Sequence, residues 1–249
     1  MEKAIRLLLL TALTIPCFAS TVIVLWTPKA TMVGADAKAR RGNGEPTGAT
    51  CKIGNISNDI LWAEAGVRSA DTVTDGIVFD FSSILTNELR SAVATGTRIT
   101  QAEGKISQAL SLILNSPSIK ESAIANPDKY GVQFAIVMLD KGVTRLEVRE
   151  FFPVKNTIGN IDISISRSRC PAGPKCGGSG SLAFGTHDHV DTEIRENPSL
   201  WNMPGGPRAI IRHLIGLEIQ GHPDEVGPPI TIAQIDSTGV HWINKGACQ

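Results

Sequence analysis

The chemistry of this sequence can be arranged around Ser20. It follows Met1–Ala19, and a cut after Ala19 leaves one residue carrying both a hydroxyl and a free α-amine. An α-amino group titrates near ~7.7–8.0, against ~10.4 for lysine, so it can take the hydroxyl proton close to neutral pH. Such a nucleophile needs a cation that eases deprotonation, a carboxylate that holds the cation, and backbone donors for an oxyanion. Asp36, Lys52 and Gly66 offer one of each, 16, 32 and 46 residues beyond Ser20. Taken singly, each also reads as structure: an ion pair and a turn glycine.

Other motifs carry less. Gly177–Gly180 lacks the Lys-Ser/Thr ending of a phosphate-binding loop. His187-Asp188-His189 offers two histidines at i, i+2 with no evident further ligands, and reads as a polar strand end, so no metal site is assigned.

Several elements must position these residues. Basic Met1–Arg6 and apolar Leu7–Ile15 form a secretory signal peptide, with Cys17 three residues before the cut. Residues 20–249 then form one domain, large enough for a buried core. Removing Glu2, Lys3 and Arg6 from totals of 24 acidic and 24 basic residues leaves 23 and 22. That balance argues against nucleic-acid or anionic-membrane partners. No apolar run in this domain approaches the ~20 residues of a membrane span, so an exported, soluble protein without stable membrane insertion is expected. Of the remaining cysteines, Cys170 and Cys176 frame a turn-rich loop and are expected to pair, leaving Cys51 with Cys248, although the sequence alone does not fix connectivity. A zinc reading of the four is weaker, because no CxxC pair occurs.

Thr21–Trp26 and Ala30–Ala35 read as strands around Thr27-Pro28-Lys29, followed by strands at 52–56 and 60–67. Helical spacing begins near Thr74 (Ile77, Phe79, Phe81, Ile84, Leu85, Leu89) and recurs over Thr100–Asn115, with Thr100 as N-cap. Strands at 131–139, 143–154 and 158–166 come next. Helices around 191–201 and 207–220 precede strands at 230–236 and 240–244. That order predicts an α+β, four-layer αββα sandwich.

The residues and offsets resemble the proteasome β-subunit family of N-terminal nucleophile hydrolases. Gly34-Ala35-Asp36-Ala37-Lys38-Ala39 is similar to the family's A-x-D-S-R-A-like segment, and Ala65-Gly66 to its oxyanion A-G. Gly178-Ser179-Gly180-Ser181-Leu182-Ala183-Phe184-Gly185 is similar to G-S-G-x-x-x-A-Y-G. All three offsets fit with Ser20 first and miss by one with Thr21 first. Three departures stand out: Ser20 replaces the usual Thr, Ala37-Lys38 replace Ser-Arg, and His222–Gly227 only faintly echoes a later Asp-x-x-Ser-Gly-Gly segment.

The resemblance implies hydrolysis of an amide bond, foremost in a peptide, without metal or organic cofactor. Ser20 would attack, Lys52 and Asp36 would aid deprotonation, and the Gly66 N–H would hold the oxyanion. Ser179 and Asp224 would support the amine. Glu64 would help line the pocket before the cut bond and favour a basic side chain unless Arg68 neutralises it. A catalytically silent binding or assembly subunit and a non-peptide amidase remain open, and nothing in the sequence points to ring assembly.

Overall fold

In the computed structural model, which describes residues 20–40, 46–72, 77–91, 94–170 and 178–248, the β-branched run after Ser20 is a strand buried on both faces. This is β1 (Thr21–Trp26). Thr27 turns the chain by accepting the Lys29 and Ala30 N–H groups on its hydroxyl, and β2 (Ala30–Ala35) returns beside β1. A ribbon of β3 (Lys38–Arg40) and β4 (Pro46–Ala49) leads to the hairpin β5 (Ile53–Ser57) and β6 (Ile60–Gly66). A second ribbon, β7 (Ser69–Thr72) and β8 (Ile77–Asp80), ends where Asp80 caps α1 (Phe81–Leu89) by accepting the Ser83 N–H at 3.0 Å.

The helices α2 (Thr95–Leu114) and α3 (Lys120–Ala125) precede β9 (Val132–Asp140). Lys141 and Gly142, both at positive φ, form the two-residue turn into β10 (Val143–Lys155). The chain continues through β11 (Ile161–Cys170), β12 (Gly180–Gly185), α4 (Asp188–Glu196) and α5 (Gly206–Gly221) to the hairpin β13 (Thr231–Asp236) and β14 (Gly239–Asn244).

Two five-stranded sheets dominate, ordered β12-β1-β2-β13-β14 and β11-β10-β9-β6-β5, and their pairings are antiparallel. The period of two along each strand decides what it buries. On β1, Val22 and Val24 join Leu61, Ala63, Ala135 and Val137 between the sheets. Ile23 and Leu25 point the other way, towards Ile211, Leu214 and Ile215 of α5. On β6, Leu61 and Ala63 face β1, while Ile60 and Trp62 join the cluster holding Phe81 and Leu85 of α1 and Ile106 and Leu110 of α2. Strands buried on both sides lose the polar–apolar alternation, which is why they read as continuous apolar runs.

The expected four-layer αββα sandwich is corrected here. The protein is mostly antiparallel β, with 40% strand against 33% helix, and among the described residues its strands form four sheets rather than two. Among the described residues, α2 and α5 are the only helices of the five that exceed nine residues. The helical spacing read from Thr74 onward is partly false: Ile77 and Phe79 lie in a strand, and the helix starts only after Asp80.

Candidate active site

One end of the paired sheets gathers most of the predicted residues. Ser20 sits directly before β1, 5% exposed, and its carbonyl accepts the Thr186 N–H at 2.7 Å. Thr21 donates its N–H to Asp36 Oδ1 at 2.8 Å and its hydroxyl to the Thr186 carbonyl at 2.6 Å. Asp36 lies just past β2 because the β1–β2 register returns the chain to this end, with Val22 opposite Ala35. Its Oδ2 accepts the Lys38 and Gly227 N–H groups at 3.0 and 3.1 Å.

Lys52 enters from the residue before β5, and its Nζ donates to Asp36 Oδ1 at 2.7 Å. Because Thr21 N and Lys52 Nζ share that one oxygen, they lie within 5.5 Å of each other, the sum of the two distances. Both side chains are buried. Burial pulls the Lys52 pKa below its ordinary value, and the Asp36 charge and hydrogen bond offset this only in part. An ammonium in that state gives up a proton more readily than a solvated lysine.

Two glycines let backbones meet here. At Gly66, φ is +97°, and a Cβ would fall 2.2 Å from the Gly131 carbonyl oxygen. At Gly185, φ is +82°, and a Cβ would fall 1.9 Å from the Ser20 carbonyl oxygen and 3.0 Å from Ala65 Cβ. Gly185 therefore allows the end of β12 to lie against Ser20 and the Ala65-Gly66 corner together. Gln133 fixes it there, accepting the Gly185 N–H and donating to Glu150, both at 2.8 Å.

No protein-family model matches the chain, and no curated protein does. The resemblance thus rests on the residues themselves, and the structure sorts them.

Ser20, Asp36, Lys52 and the Ala65-Gly66 corner share one end of the sheets. Ser179 does not. The β1–β12 register sets Gly185 opposite Thr21 and Gly180 opposite Trp26, so Ser179 is exposed at the far end of β1, roughly 20 Å away. The glycine-rich match runs along β12, where the strand register decides which end each residue reaches. At the Ser20 end the neighbouring hydroxyl belongs to Thr186, which donates to Glu225 Oε2 at 3.1 Å. Asp224 is exposed, and the carboxylate that Thr186 bonds is that of the next residue. Sequence reasoning missed Thr186, Glu225, Gln133 and the Gly227 N–H. Only Gly185 gave a signal, since a strand-end glycine marks a close backbone approach.

Glu64 and Arg68 do meet. Arg68 Nη1 lies 3.0 Å from Glu64 Oε1 and also bonds the Cys51 carbonyl, while Ser82 donates to Glu64 at 3.0 Å. Burial pushes the Glu64 carboxyl up to about 7, with Arg68 and Ser82 pulling the other way. The condition under which a basic preference lapses is met.

Cys51 and Cys248 form a disulfide, tying residue 248 beside Lys52. Cys170 is also disulfide-bonded, and its expected partner Cys176 lies outside the described residues, as does the segment 1–19. Among the described residues no helix is long and apolar enough to cross a membrane. Both features are compatible with an exported protein. His187–His189 do not end a strand: His187 precedes α4, and Asp188 and His189 open it.

Proposed function

We propose that the protein is an N-terminal-nucleophile hydrolase of amide bonds, foremost in peptides, with Ser20 as nucleophile. The observation that carries this reading is the sharing of Asp36 Oδ1 between the Thr21 N–H and the buried Lys52 ammonium, which brings a readily deprotonated cation beside residue 20. Thr21 is a poor rival: it is fully buried, and both its N–H and its hydroxyl are engaged.

After removal of residues 1–19, the Ser20 amine takes the hydroxyl proton as Oγ attacks the carbonyl carbon. Lys52 lowers the cost of that transfer and Asp36 holds Lys52. The Gly66 N–H receives the oxyanion, the amine returns the proton to the leaving nitrogen, and water hydrolyses the ester. Thr186, with Glu225 behind it, is a positioning group that grips the Ser20 carbonyl. A cleft of about 450 Å³, whose lining includes Lys38, Ala49, Pro223 and Gly227, borders the two backbone N–H groups that hold Asp36 Oδ2. Because Arg68 compensates Glu64, no preference for a basic side chain is assigned.

The test is the mature protein, its start at Ser20 verified by intact mass, treated with a hydroxyl-directed electrophile and assayed on peptide amides. Labelling should map to Ser20, and Ser20→Ala should fold yet lose at least ~10³-fold in turnover. Hydrolysis retained by that variant, or a mature chain starting elsewhere, removes the proposal. A Ser20 that neither labels nor turns over peptides leaves the silent binding subunit, and labelling with turnover only of non-peptide amides leaves the amidase.

A further inference from the structure

Four side chains converge where the start of α4 meets the end of α5. Asp188 and His189 come from the first turn of α4, Glu218 from the last turn of α5, and His222 from the residue that caps it. One ligand atom from each lies within 4.8 Å of all the others. None of them takes part in the chemistry proposed for Ser20.

Glu218 is the telling member. It is fully buried, and its Oε1 accepts the Val190 N–H at 2.7 Å, which ties α5 to α4. Its Oε2 is buried with no hydrogen-bond partner. The His222 Nε2 lies 3.8 Å from that oxygen, too far for a hydrogen bond, and 2.7 Å from Asp188 Oδ1. A proton on Nε2 therefore serves Asp188 and leaves a buried carboxylate oxygen unsatisfied, an expensive state. A divalent cation among the four serves both carboxylates and both imidazoles at once. His189 is held within reach: its ring centroid is 5.1 Å from that of His222, and a Cβ on Gly221 would fall 2.0 Å from its Nε2.

We propose that Asp188, His189, Glu218 and His222 form a binding site for a divalent transition-metal ion of the zinc class. Two imidazole nitrogens with two carboxylate oxygens suit such an ion better than the all-oxygen shells of calcium or magnesium. Tetrahedral ligands ~2.0–2.1 Å from zinc stand roughly 3.4 Å apart. The widest spacing must close by somewhat more than an ångström, and the exposed Asp188 and His189 are free to make that movement. The site also has a place in the fold. His222 opens the segment that carries Glu225 to Thr186 and the Gly227 N–H to Asp36, so the ion would brace the support of residue 20.

Tag-free, chelator-stripped protein titrated with Zn²⁺, and with Co²⁺ as a spectroscopic stand-in, tests this by calorimetry and d–d absorption. The expected result is about one equivalent bound with a tetrahedral Co²⁺ spectrum, a raised thermal midpoint with Zn²⁺, and no competition from Mg²⁺ or Ca²⁺. His189→Ala, at an exposed residue, should weaken binding at least ~10-fold, as should His222→Ala. Glu218→Gln keeps an acceptor for Val190 and should also weaken it. Gly221→Ala leaves every ligand in place but crowds His189, and should fall between these and the unaltered protein. Absence of stoichiometric binding, or equal affinity in the unaltered protein, His189→Ala and Glu218→Gln, overturns the assignment. Competition by Mg²⁺ or Ca²⁺ overturns the zinc class.

Discussion

Two buried charge clusters in this protein use similar ingredients to opposite ends. Beside β10 and β11, Glu103 accepts from Arg149 Nε and Arg167 Nε, both at 2.9 Å, and Arg149 Nη2 reaches Glu147 at 2.8 Å. Hydrogen bonds from Arg167 and then Arg149 hold the Glu103 carboxyl below its usual range against the opposing effect of burial. Near Ser20 the cation is a lysine whose pKa burial pulls down. A guanidinium stays charged throughout the accessible pH range and forks onto carboxylates, whereas a buried ammonium is readily titrated. The first cluster is thus fixed in one charge state, and the second is placed where a proton can move. A cation's side-chain type, rather than the mere presence of a buried pair, separates scaffolding from candidate chemistry.

That contrast can be attacked at four points. Asp36→Ala should be the most damaging, because it removes the carboxylate to which the buried Lys52 ammonium and the Thr21, Lys38 and Gly227 N–H groups all donate. A loss of about 3–5 kcal/mol in urea unfolding is expected, and a loss below about 1 kcal/mol would mean the pair is not the keystone of that end. Arg149→Ala should cost less, about 2–3 kcal/mol, since Glu103 keeps Arg167 and Glu147 keeps Arg169 at 3.3 Å.

Glu64→Gln should act through pH. Burial raises the Glu64 carboxyl from 4.5 to about 7, so between those values the folded chain holds a proton that the unfolded chain has released. Its contribution to stability is full below about pH 4.5, declines as pH rises to about 7, and is flat above. The slope in that window is at most ~1.4 kcal/mol per pH unit, and the variant should flatten it in unfolding curves collected across the range. Arg167→Ala should do least, because more than half of that side chain is in solvent. Its unfolding midpoint should match that of the unaltered protein within error, and a clear shift would show that the exposed arm of the network bears weight.

Much of the scaffold near Ser20 could be read from the chain. β1 and β2 begin and end at the expected residues, because Thr27 breaks a β-branched run with a local hydrogen-bonded turn. The Cys51–Cys248 bond is the pairing expected if Cys170 pairs with Cys176, a choice the sequence alone does not fix. Thr100 was not the cap it seemed: α2 starts at Thr95, and the Thr100 hydroxyl bonds back to the Gly96 carbonyl inside the helix. The Thr186–Glu225 and Gln133–Gly185 contacts span 39 and 52 residues and leave no periodic trace. Ser179 misled because a short glycine-rich match says nothing of strand register, and six residues of β12 carry it to the wrong end. His187–His189 misled only as to the element: no strand ends there, Asp188 and His189 open α4, and their neighbours Glu218 and His222 come from the last turn and the cap of α5.

The covalent link from Cys51 to Cys248 spans 197 residues and attaches immediately before Lys52. Closing so long a loop restricts the unfolded ensemble strongly, by about 5 kcal/mol on a chain-entropy account. Thiol reduction would unmoor the segment that presents the ammonium while leaving the β1–β2 hairpin, with its own turn, untouched. Oxidising surroundings would therefore favour assembly of the Ser20 end, a control separate from the chain trimming that the proposed chemistry needs.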